Sequence, residues 1–144
     1  MNQPLHSSMT EPEHGAPLGS IVHLRSSTGM YGAEQVVLGL AREQVGRGVG
    51  AQVVVFVHGG DADEPQLLLA ARDEGLPATG LPCRGIADPR CIGALRRLLL
   101  DARADVLHCH DYKSIVYARL AARGLPVALV ATLHGWLRDG LRLR

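Results

Sequence analysis

The sequence predicts an α/β domain, a doubly wound (Rossmann-like) parallel sheet in a three-layer sandwich. Three observations carry this. Short β-branched apolar runs alternate with longer segments of helical period. The joints between them are brief and marked by Gly or Pro. Histidines, glycines and aspartates collect where the apolar runs end, the edge at which such sheets bind ligands. A length of 144 residues suits one domain with a real core. With one Phe, one Trp and three Tyr, that core must be filled by Leu, Val, Ile and Ala, as helices on a parallel sheet require.

Residues 1–19 contain prolines and polar residues but no apolar stretch of signal-peptide type, and are expected to be a disordered lead-in to a domain over 20–144. "SIVHLR" (20–25) is the first strand, followed by the glycine loop "SSTGMYGAE". From Ala33 the apolar positions Ala33, Val36, Val37, Leu40, Ala41 and Val45 give a helix with one buried stripe, which "GRGVG" stops. "AQVVVFVH" (51–58) is continuously apolar and fits a strand covered on both faces.

"EPQLLLAARDEG" reads as a helix with Pro65 in its first turn and Gly75 beyond its end. "LPATGLPC" (76–83), with two prolines, belongs at a sheet edge. In 88–103, Asp88 is the N-cap, Pro89 the first helical residue, and Ile92, Leu95, Leu98, Leu99 and Ala102 the buried stripe. Arg96, Arg97 and Arg103 are expected on its solvated face. "ADVLHCH" (104–110) is a strand, 113–124 a helix closed by Gly124, and "LPVALVATLH" (125–134) the fifth strand. After it, Trp136, Leu137, Leu141 and Leu143 have little to pack against, as in a domain cut from something longer.

Composition narrows the function. A formal charge of +1 gives no bulk attraction to nucleic acid or membrane, and the few aromatics make no base-stacking platform. Cys83, Cys91 and Cys109 contain no C-x-x-C pair and read as reduced thiols of a cytoplasmic protein.

The chemistry-bearing residues sit at strand ends. Gly29 and Gly32 precede a helix N-terminus, where unpaired N–H groups and the helix dipole attract anions. The loop is neither a P-loop, since no lysine follows Gly32, nor G-x-G-x-x-G. As G-x-x-G it fits a phosphate approach or simply a tight turn. His108 and His110, two apart on a strand, face one way. With Asp111 and His134 they could ligate a metal, or they could line a polar cleft. His134 closes the last strand and could donate to a substrate hydroxyl or phosphate, or be only a loop residue. "DADEP" favours the start of the next helix, and Cys109 reads as a buried strand residue.

Taken in order, "LRSSTGMYGAEQVVLGLAREQVGRG", "DVLHCHDYKS" and "VATLHGW" resemble the N-terminal half of family 4 glycosyltransferases of the GT-B fold. The resemblance implies an acceptor-side domain of a retaining, hexosyltransferase-type enzyme that transfers a sugar from a nucleotide-sugar. It implies no metal and no cofactor. Gly29, Gly32 and Ala33 would approach the donor diphosphate or acceptor, with Tyr31 standing where the family usually has a glycine. His110, Asp111 and Lys113 would line the acceptor cleft, and His134 would contact the donor sugar near the reacting carbon. The implied partners are a nucleotide-sugar, a sugar or lipid-linked acceptor, and a C-terminal donor-binding domain; a peripheral membrane association is compatible with these, nucleic acid is not among them. The family's donor motif, two glutamates eight positions apart, belongs to that second domain, and no glutamate pair here has that spacing. The chain alone is therefore expected to be inactive. The rival classes are a metal-dependent hydrolase using His108, His110, Asp111 and His134, and a non-catalytic anion-binding module.

Overall fold

The computed structural model describes residues 19–27, 29–60 and 63–135. Within them the chain runs β1 (Ser20–Arg25), α1 (Gly32–Gly46), β2 (Gly50–Val57), α2 (Gln66–Asp73), β3 (Ala78–Pro82), α3 (Pro89–Asp101), β4 (Val106–Cys109), α4 (Tyr112–Ala121) and β5 (Ala128–Ala131). The strands form one sheet in the order β3-β2-β1-β4-β5, every pairing parallel. Strand order reverses between β1 and β4, so the crevice beyond their carboxyl ends is the switch point of the sheet. The expected lead-in, apart from Gly19, lies outside the described residues, as do Trp136, Leu137, Leu141 and Leu143.

Two cores, one on each face, make the three layers. Val53 and Val55 of β2 meet Val37, Leu38 and Ala41 of α1 and Leu67, Leu68 and Ala71 of α2. On the other face Val22, Leu24, Val54, Phe56, Leu81, Leu107 and Cys109 meet Leu95 and Leu99 of α3 and Tyr117, Ala118 and Ala121 of α4. Burying both faces explains why β2 reads as an unbroken apolar run. Among the described residues β3 pairs only with β2, the edge position its prolines call for.

Helix boundaries follow their capping residues. The Asp88 carboxylate accepts from the N–H of Arg90, with Pro89 at the first helical position of α3. Pro65 immediately precedes α2 instead of lying in its first turn. α4 ends at Ala121, with Gly124 beyond it at φ +76°. β4 stops at Cys109 and leaves His110 just outside the ladder.

Two expectations are corrected. The buried stripe of α1 is Glu34, Val37, Leu38 and Ala41, whereas Val36, Leu40 and Val45 are exposed. The helix is rotated because Glu34 finds a cation beside the sheet, so a carboxylate occupies an inward position. Arg96 is not simply solvated: its Nη1 donates to the carbonyls of Ala121 (3.0 Å) and Arg123 (2.7 Å), satisfying acceptors at the end of α4. All four residues of β5 are exposed, and Val130, the register partner of His108, shares the α1 face of the sheet with it.

Candidate functional site

The site grows from the alternation of β1 and β4. His23 and His108 are register partners, so both face α1, as does His110 two residues on. His23 and His110 are fully buried; His108 is partly open. The His108 and His110 ring centres lie 4.0 Å apart and each is 5.3 Å from His23. His134, beyond β5, joins by its Nε2, 3.0 Å from His110 Nδ1, with the two rings stacked. His23 Nδ1 is 3.0 Å from His110 Nε2, and His23 Nε2 is 2.7 Å from Gln44 Oε1 of α1. His108 Nε2 meets Thr132 Oγ1 at 2.8 Å.

Burial favours the neutral form of His23, His108 and His110. It pushes the His23 pKa below the usual value against the opposing Gln44 bond, and lowers His108 with help from His23 and His134. His110 is pushed down to about 2, first by burial, then by His108, His23, His134 and Arg25. Neutral imidazole is also the metal-binding form, and His23, His108 and His110 present nitrogens within 4.8 Å of one another. This differs from the set expected of a hydrolase. Asp111 is committed elsewhere, and His134 bonds to His110. Zn–N bonds of about 2.05 Å at a tetrahedral angle would hold two ligand nitrogens about 3.3 Å apart. The 3.0 Å between His23 and His110 is instead an N–H···N separation.

A second group fixes the loop after β1. Arg25 Nε donates to Glu34 Oε1 at 2.7 Å and its Nη1 to the His110 carbonyl at 2.8 Å. Ser27 Oγ and the Tyr31 N–H also donate to the Glu34 carboxylate. Although burial acts to raise the Glu34 pKa, the bonds from Arg25 and Ser27 hold it below the usual carboxylate value. Asp111 Oδ2 accepts from the Ser26 N–H at 2.6 Å, and its Oδ1 accepts from the N–H and hydroxyl of Ser114 at 2.8 and 2.9 Å. One carboxylate thus caps α4 and ties it to the first loop across the switch point.

Between these groups lies an open hollow of about 290 Å³, lined by Arg25, His110, Asp111, Tyr112, Leu133, His134 and Gly135. That is the small end of the range for ligand pockets. It gathers three of the residues singled out from sequence: His110, Asp111 and His134. Gly29, Gly32, Ala33 and Lys113 are not among its lining residues. Gly29 is buried, and a Cβ there would stand 2.6 Å from the Tyr31 ring, so its missing side chain makes room for that tyrosine. Gly32 opens α1, and a Cβ there would meet nothing within 4 Å. Lys113 Nζ lies 3.3 Å from His58 Nε2 and 4.7 Å above the Phe56 ring centre, towards the end of β2.

The arrangement suits holding a polar ligand between a guanidinium and an imidazole at the rim of a parallel sheet. Comparison with known proteins gives it a family. The model of Glycosyltransferase Family 4 matches residues 30–144. The chain belongs to Glycosyltransferase Family 4. Solved structures share the fold. A glycosyltransferase from Rickettsia africae is 14% identical at TM-score 0.66, the match covering 82% of this chain and 30% of that one. Anabaena Alr3699/HepE, solved in complex with UDP, is 19% identical at TM-score 0.63 with the same coverage. Acinetobacter baumannii MurG is 14% identical at 0.58, covering 82% and 37%. The chain thus spans about a third of the length of these structures. No curated protein matches it.

Within this Family 4 domain, three residues of the site were missed from sequence: His23, Arg25 and Gln44. A signal existed for each. His23 is a polar residue inside an apolar strand, Arg25 ends that strand, and Gln44 lies three residues beyond the buried Ala41, on the inward face of α1.

Proposed function

We propose that this chain supplies the acceptor-side half of a retaining glycosyltransferase of hexosyl type. The sugar would move from a nucleotide-sugar to a sugar or lipid-linked acceptor in the cytoplasm. The observation that carries the reading is the hollow at the switch point, where His134 is held by His110 and faces the same space as Arg25. His134 orients the donor sugar; His110 supports it. Asp111 shapes the wall while its oxygens hold the loops together. Gly32 and Ala33 start α1, whose first N–H groups, together with Gly29 in the loop before them, are assigned to the donor diphosphate. Lys113 serves the acceptor side, at the neighbouring end of β2.

A hollow of about 290 Å³ is small for a complete nucleotide-sugar, which fits a donor held mainly by a second domain. Isothermal titration of UDP-glucose and GDP-mannose tests this. The chain alone is expected to give no measurable heat at micromolar ligand, and binding should appear on adding a matched C-terminal half. Tight binding by the chain alone would refute this division of labour.

A further inference from the structure

The bonds running from α1 to the hollow have a direction. Gln44 Oε1 can only accept, so the nitrogen facing it, His23 Nε2, carries the hydrogen. A neutral imidazole has one N–H, which leaves His23 Nδ1 as an acceptor. His110 Nε2 therefore donates to it across 3.0 Å. His110 Nδ1 is then the lone pair, and His134 Nε2 donates to it across 3.0 Å. The burial of His23 and His110 holds both rings neutral, so neither supplies a second hydrogen that would break the sequence. Each link has one consistent assignment, and no described buried side-chain polar atom is left unpartnered.

We propose that Gln44, His23 and His110 act as a positioning chain that keeps a hydrogen on His134 Nε2, so that the neutral form of His134 meets its ligand through an unprotonated Nδ1. As an acceptor, that nitrogen selects hydroxyl donors and disfavours an anionic oxygen. The sequence alone had allowed His134 to donate to a hydroxyl or a phosphate; for the neutral ring the chain removes the second partner. The inference rests on His134 being the ligand-facing ring of the site. Arg25, whose Nη1 holds the His110 carbonyl, and His108, whose ring lies tilted 4.0 Å from that of His110, are the other described titratable groups packed against the chain.

The test reads protonation directly, in the absence of any ligand. Long-range ¹H–¹⁵N correlation spectra of the ¹⁵N-histidine-labelled chain should show His23, His110 and His134 all protonated at Nε2. Gln44→Glu, which can only accept, should preserve that pattern. Gln44→Leu should replace it at His134 with a mixture of tautomers. Protonation of His134 at Nδ1 in the parent chain, or an unchanged pattern in Gln44→Leu, would overturn the proposal. So would displacement of the His23, His108 and His110 signals by equimolar Zn²⁺, since the rings would then be a metal set. Failure of sugar binding would leave these spectra unaffected, so the two readings fail separately.

Discussion

Glu34 is nearly inaccessible, its side chain 2% exposed, and Arg25 is its only charged partner in the described contacts. Truncating one member of a buried pair leaves the other uncompensated. Glu34→Ala is therefore expected to cost about 3 kcal/mol in urea unfolding. Pairing Glu34→Leu with Arg25→Met should cost clearly less than the sum of the single changes, and a strictly additive cycle would show that the pair is uncoupled. The histidines give a second expectation. His23 and His110 have native pKa values below the roughly 6.5 of an unfolded histidine. Below that pH the unfolded chain binds protons that the native chain refuses. Stability is thus complete above about pH 6.5 and lost as pH falls towards the native value of His110, about 2. The free energy of unfolding should drop between about pH 7 and pH 5, with a slope approaching about 1.4 kcal/mol per pH unit from His110 and a further loss of the same sign from His23. A flat profile would mean that the rings are already charged in the fold. At this scale the sequence was partly legible. His108 and His110 were visible as a same-face pair, but His23 joins them only through the β1–β4 pairing, which brings together residues 85 apart. Spacing along the chain carries no trace of that contact.

Among the elements, α4 depends on one side chain. Asp111→Ala removes its N-cap and also releases Ser26, so it should cost more than the roughly 1 kcal/mol of an ordinary cap. Asp88→Ala provides the comparison. Its carboxylate also accepts from the Arg84 N–H, but the group is exposed, and its loss should stay near that ordinary figure. Arg103, just past α3, is the one described non-glycine residue at positive φ, +47°. Arg103→Gly should raise the melting temperature, by about 1 kcal/mol in stability terms, because glycine occupies that region without the Cβ clash. Caps and stops were readable since they are local: Asp88, Pro89 and Gly75 act within a few residues of where they stand. The rotation of α1 was not readable. It follows from an inward carboxylate whose partner lies on another element, and apolar periodicity alone placed Val36 and Leu40 inside.

For the whole molecule, five parallel strands around a β1/β4 switch point follow from repeated strand–helix grammar, and this was the most legible level. Right-handed crossovers leave few arrangements for such a pattern, and ligand residues then have one edge at which to gather. The glycine loop shows the limit. Its glycines fitted either a phosphate approach or a tight turn, and the crowding of Gly29 by the Tyr31 ring, a contact two residues away, is something composition does not reveal. β5 has Leu129 and Val130 open to water and hydrogen-bonds to β4 on one side only among the described residues. Such a rim invites a second molecule to continue the ladder. Light scattering of concentrated stocks should show growing particles, and Val130→Lys should keep them clear by setting like charges against each other where two molecules would join.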